Sequence, residues 1–241
     1  MMWPFRRKQR TPPIETPAMK VELPLQSPDD PRGFGFKSTW WSLPTDDTDA
    51  VVAAIGLQNA QPANWGTGIE YAYEQSVFVT PPVDGWTLIA GFRLPPMGED
   101  ARAKVIQPLL ELSQAFGTAL VFATHRVVEY HVWAKAVAGS LIRGYGYLGE
   151  SGHTFWDEGP MTPEEKELGF AFFDERCPEA EDDSYWERED LDYADEMKVM
   201  DIAREWSVSP DDLEDYRPEE RSLGVLGCHS ELLKRGGEDA R

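Results

Sequence analysis

Almost the whole net charge of this chain lies in one stretch: residues 157–220 carry 25 Asp or Glu against 6 Lys or Arg, a balance of −19 within a total of −20. Like charges at that density repel one another and stay in water. The stretch can border a core but cannot form its centre, so the interior has to be built mainly from what precedes it. The material is present. Hydrophobic residues make up 41% of the 241 residues, with 9 Trp, 11 Phe and 8 Tyr, and aromatic side chains bury large areas. A wholly disordered chain is excluded, and the length suffices for one sizeable domain.

Four regions follow from the pattern. Residues 1–36 hold seven prolines, the basic residues Arg6, Arg7, Lys8 and Arg10, and Gly33-Phe34-Gly35. Without periodicity, they read as an extended or disordered basic, proline-rich arm. Residues 37–160 read as an α+β core. Thr45-Asp46-Asp47-Thr48-Asp49 before residues 50–56 opens a short helix, because carboxylates near a first turn answer its unpaired amides. Residues 69–73, 76–80 and 86–91 are rich in β-branched and aromatic side chains and read as strands, the last two forming a hairpin through Pro81-Pro82-Val83-Asp84-Gly85. Residues 99–116 repeat Val105, Leu109, Leu112 and Phe116 at helical spacing before Gly117, with Pro108 marking a kink or a start. Residues 119–124, 127–137 and 140–147 read as strands, the last two a second hairpin bearing Trp133, Tyr145 and Tyr147.

Residues 161–227 read as an acidic helical region packed on that core. Thr162-Pro163-Glu164-Glu165 is a helix opening with a cap, a proline at the first position and a glutamate that answers the cap's own amide. Residues 194–206 place Met197, Met200, Ala203 and Trp206 on one helical face, and Ser209-Pro210-Asp211-Asp212 repeats the opening. Residues 228–241 are a tail. The fold class expected is α+β: an antiparallel sheet built from two hairpins, with packed helices and a mostly helical acidic C-terminal region.

Chemistry is sparse. His125, Glu129 and His131 are evenly spaced and would share one strand face, and His153 lies near Asp157 in what reads as a loop. Gly144-Tyr145-Gly146-Tyr147-Leu148-Gly149 has the letters of a phosphate loop, but no helix opens after it. Serine-hydrolase, Walker and zinc-protease motifs are absent. Cys177 and Cys228 are far apart and read as reduced thiols; Cys228 is followed by His229, but neighbouring side chains in an extended chain point apart. No catalytic residue, metal or cofactor is assigned. The basic N-terminus lacks the apolar stretch of a secretion signal, and the apolar runs at 50–56 and 118–123 fall far short of the roughly 20 residues that cross a bilayer. A cytoplasmic location is expected, without membrane contact.

The acidic block is interleaved with rings. Asp182, Asp183, Glu187, Glu189, Asp190, Asp192, Asp195 and Glu196 surround Tyr185 and Trp186, and these ten residues are the candidate partner-binding set. Carboxylates steer a basic protein into encounter and aromatic rings anchor it, whereas nucleic-acid phosphates are repelled. Three alternatives stand beside this reading: a solvated surface that only keeps the chain soluble; an enzyme, hydrolytic in kind, with His125, His131 and His153 converging in a pocket; and an acidic mimic of nucleic acid.

Val79-Thr80-Pro81-Pro82 with Gly85-Trp86-Thr87-Leu88, the helix over 109–116, the Trp133 hairpin and Ile202-Ala203-Arg204-Glu205-Trp206-Ser207-Val208-Ser209-Pro210 resemble a family of uncharacterised bacterial proteins over roughly residues 40–225. That resemblance implies no activity, cofactor or catalytic residue. In general style, as an acidic single-domain protein without a site, the chain also resembles the immunity proteins that neutralise toxins delivered between bacteria. This likeness implies a basic toxin or effector domain as the partner.

Overall fold

The structure is a computed structural model that describes residues 23–228 apart from 93 and 97. Among these, nine strands form one antiparallel sheet: β1 Ser38–Leu43, β2 Gln58–Ala63, β3 Val77–Val79, β4 Thr87–Ala90, β5 Thr118–His125, β6 Tyr130–Val137, β7 Ser140–Leu148, β8 His153–Glu158 and β9 Gly224–Cys228, in the order β2-β9-β3-β4-β1-β5-β6-β7-β8. Six helices accompany them: α1 Thr48–Ala54, α2 Trp65–Ala72, α3 Ala101–Phe116, α4 Pro163–Glu167, α5 Asp183–Trp186 and α6 Glu196–Trp206.

This corrects the expected architecture. The two hairpins exist, as β3-β4 and β6-β7, but they are parts of one nine-stranded sheet and not its whole. The acidic C-terminal region is not mostly helical: α4 and α5 are short, long connections separate them, and the region ends in β9. Residues 153–158 are the edge strand β8, not a loop. Residues 69–73 belong to α2 and its end, not to a strand. The α2 helix forms in spite of Gly66 and Gly68 because its first amides are met: Asn64 accepts from Thr67 N (3.0 Å), and Asp29 accepts from Trp65 N (2.6 Å) and Gly66 N (2.9 Å). Gly68 is required by packing, since a Cβ there would lie 2.4 Å from the Phe78 ring.

The sheet is covered on both faces. Side chains alternate along each strand, so Trp40, Phe78, Leu88, Phe122, Trp133 and Tyr145 point to one side and Trp41, Val79, Ile89, Val121 and Val132 to the other. The first side is closed by α2 and α6, through Trp65 and Ile69 and through Val199, Met200, Ile202 and Trp206. The second is closed by α1 and α3, through Val51 and through Val105, Leu109 and Leu112. Double coverage explains why β5, Thr-Ala-Leu-Val-Phe-Ala-Thr-His, shows little polar alternation. At the centre, β1 pairs with β4 (Trp40 opposite Ala90) and with β5 (Trp40 opposite Phe122).

Residues 23–36 run along the first face. Phe34 is buried there against Trp40 and its amide donates to the Pro210 carbonyl (3.2 Å). Arg6, Arg7, Lys8 and Arg10 of the expected arm, and the tail past Cys228 with His229, lie outside the described residues. Among the described residues no helix is long and apolar enough to cross a membrane.

Candidate partner-binding surface

Ahead of α6, the acidic stretch is attached to the sheet by a buried ion pair and a row of rings. Glu165 has no exposed surface, and its carboxylate accepts from Trp133 Nε1 (2.9 Å), Arg143 Nε (3.0 Å) and the Thr162 amide (2.7 Å), while Thr162 Oγ1 accepts from the Glu165 amide (3.2 Å). The capping box legible in the sequence is thus also the seat of a buried arginine. Arg143 reaches Asp157 (2.5 Å) and the Gly159 carbonyl (3.0 Å) as well. Beyond α4, Phe170 and Phe172 pack on Trp133 at 5.8 and 5.6 Å, and Trp133 stacks on Tyr145 at 4.5 Å. Tyr147 donates to Glu175 (2.8 Å) and stacks with Tyr193 at 6.2 Å. Burial, together with that Glu175 bond, pushes the Tyr147 phenol well above its ordinary value. Rings from β6 and β7 therefore hold residues 170–175 and 193, and the chain between them forms the surface.

The ten predicted residues have different duties there. Asp182 caps α5, accepting from the Ser184 amide (2.9 Å) and hydroxyl (2.7 Å), and these bonds hold its carboxyl below the ordinary aspartate value. Tyr185 is turned inward, 5% exposed, edge-on to Phe173 and Trp186. Asp190 is forked by Arg188 (2.8 and 2.7 Å), and Asp192 and Asp195 share Lys198 (2.8 and 3.0 Å). Glu196 pairs with Arg126 at 2.9 Å. Asp183, Glu187 and Glu189 are exposed and have no ion pair among the described residues. Trp186 is 47% exposed, and its Nε1 donates to the Ala180 carbonyl (2.9 Å), which fixes the ring in place. Arg188 and Phe173, which sequence reasoning did not single out, complete this surface: the guanidinium lies 4.5 Å from the Phe173 ring and 5.5 Å from the Tyr185 ring.

Asp195 also starts α6, accepting from the Lys198 amide at 2.9 Å. Burial works to raise its carboxyl, but the Lys198 amide and ammonium outweigh that and leave it below the ordinary value. Asp195→Ala is expected to cost about 1 kcal/mol, the usual worth of an N-cap. Because the folded value is lowered, the contribution is complete above the unfolded aspartate value and disappears as pH falls through the folded one. Urea denaturation of both proteins at neutral and acidic pH checks this: the gap between them should close on acidification.

The histidines do not meet. The chain turns between His125, at the end of β5, and His131, in β6, so the expected single strand face is lost; Glu129 sits in the turn at φ 48°. His131 is buried between Thr124 Oγ1 (3.0 Å) and Glu129 Oε2 (3.0 Å). Burial, opposed by Glu129, lowers its imidazole. His125, Tyr130, Leu148 and His153 are successive cross-strand partners, which puts His125 and His153 about 14 Å apart at usual strand spacing. His153 faces Glu99 (3.4 Å), and Asp157, its expected partner, is taken by Arg143. Among the described residues no group of three or more His, Cys, Asp or Glu side chains is arranged to hold a metal ion. Compared with protein-family models, curated proteins and solved structures, the chain matches none of them.

Proposed function

We propose that this protein acts by docking a basic protein partner on the surface around Trp186, as an immunity-type inhibitor docks a toxin or effector domain. The observation that carries the reading is the Trp186 ring, exposed yet fixed by its bond to Ala180, with the unpaired carboxylates of Asp183, Glu187 and Glu189 within three residues of it. A ring held in place before binding loses little freedom on association and makes an effective anchor. The surrounding charge speeds encounter with a cationic surface. Tyr185, Asp190, Asp192, Asp195 and Glu196 serve by holding this shape.

The separation of His125, His131 and His153 favours docking over a hydrolytic site built from them. Mimicry of nucleic acid needs an unbroken row of negative charge, whereas Arg126, Arg188, Lys198 and Arg204 each pair with a carboxylate of this region. Cys177 and Cys228 are free thiols, which suits work in a reducing cytoplasm.

Reversing the three unpaired charges, as Asp183→Lys, Glu187→Lys and Glu189→Lys together, tests the reading against a partner captured with the tagged protein. The association rate should fall on the order of 100-fold at low salt and less at high salt. An unchanged rate and affinity would overturn it.

A further inference from the structure

We infer that the group this surface recognises is an arginine side chain, stacked on the open Trp186 indole and held by the neighbouring carboxylates. The inference rests on the docking reading above. Phe173, Tyr185 and Trp186 form a cluster of rings that meet edge to face, Phe173 and Tyr185 at 6.3 Å and Tyr185 and Trp186 at 5.1 Å, with Trp186 the exposed member. The chain's own Arg188 already lies against two of these rings. Its guanidinium covers Phe173 and Tyr185 while both arms of its fork reach the Asp190 carboxylate. Trp186, the largest ring of the three and the best cation acceptor by type, carries no cation among the described residues. It has carboxylates at Asp183, Glu187 and Glu189 to supply the second half of the same arrangement.

Arginine suits this geometry better than lysine. A planar guanidinium lies flat on a ring and still presents its fork to a carboxylate, whereas an ammonium is a compact, strongly hydrated charge that does one or the other. A phosphate-bearing ligand is repelled by the net balance of the segment, in which residues 174–196 carry 12 Asp or Glu against 2 Arg.

The test uses the full chain and two short labelled peptides of equal charge, one alternating arginine with glycine and the other lysine with glycine, titrated by fluorescence anisotropy at low and physiological ionic strength. Five proteins are compared: wild type; Trp186→Ala; Trp186→Phe; the neutralised triple Asp183→Asn, Glu187→Gln and Glu189→Gln; and a control triple at the remote exposed carboxylates, Asp46→Asn, Glu70→Gln and Glu74→Gln. The arginine peptide is expected to bind wild type about tenfold tighter than the lysine peptide, and Trp186→Ala to erase that preference. Trp186→Phe, which keeps a ring, should retain most of it. Equal affinity for the two peptides, or a preference untouched by Trp186→Ala, overturns the arginine inference and leaves the docking reading standing if the neutralised triple alone loses affinity. If the neutralised and control triples weaken binding equally, the surface is not special and both ideas fail.

Discussion

Glu165→Ala is expected to destabilise the fold by about 3–5 kcal/mol, the cost of removing one partner from a buried ion pair. Arg143 is 3% exposed and would keep Asp157, which is more than half exposed, backbone carbonyls and the Tyr145 ring, with no buried carboxylate. Trp133 Nε1 and the Thr162 amide lose their acceptor in the same step, and each buried donor left unpaired carries its own desolvation cost. Urea denaturation reads the effect as a lower midpoint. A loss below about 1 kcal/mol would mean that water enters and solvates Arg143. The double replacement Arg143→Met with Glu165→Leu separates charge from packing, because it leaves no buried ion without a partner. It should recover the part of the loss owed to the unpaired guanidinium, and leave the cost of the Trp133 Nε1 and Thr162 donors, which still lack an acceptor.

Trp40→Ala is the second large effect, about 3–5 kcal/mol for deleting a fully buried aromatic side chain. Trp40 has no exposed surface on the central strand β1, stacks on Phe122 at 5.2 Å and meets Phe34 edge-on at 6.2 Å. The void would open between the sheet, the incoming residues 23–36 and the α6 layer, where Trp206 contacts Phe122 at 6.0 Å, so no single element can relax to fill it. The urea midpoint should drop while the denaturant slope stays near that of wild type. Trp186→Ala gives the contrast. An exposed truncation is expected to change stability by only about 0.5 kcal/mol, which keeps the binding measurements interpretable.

What was legible in the sequence is what local pattern encodes. The β3-β4 and β6-β7 hairpins, β5, α3 and the Thr162 capping box all emerge from alternation, helical spacing and turn residues. Of the strands that were missed, β8 folds back on its neighbour β7, whereas β1, β2 and β9 owe their existence to distant partners. β2 is Gln-Asn-Ala-Gln-Pro-Ala, an exposed edge strand without an apolar face, and it exists because β9 lies beside it. β1 places Ser, Thr and Trp alternately into two cores at once, so no single polarity pattern marks it. The binding surface was legible as composition but not as geometry. Spacing alone cannot tell that Tyr185 turns inward while Trp186 turns out. Nor could it show that α2 would win over a strand, since that rests on Asp29 reaching across from another part of the chain.

β9 lies between β2 and β3: Val225 stands opposite both Pro62 and Val79, and Val77 pairs with Gly227. A nascent chain that has emerged only as far as α6 has a sheet that stops at β3, and a β2 with no neighbour. Closing that gap brings together partners separated by most of the domain, a slow step for an antiparallel sheet. Until it closes, β3 presents an unpaired edge to every other unfinished chain in the vicinity. Five residues just past the acidic stretch, Gly224–Cys228, therefore act as the clasp that withdraws the β3 edge from such encounters and leaves β2 and β8 as the edges of the sheet.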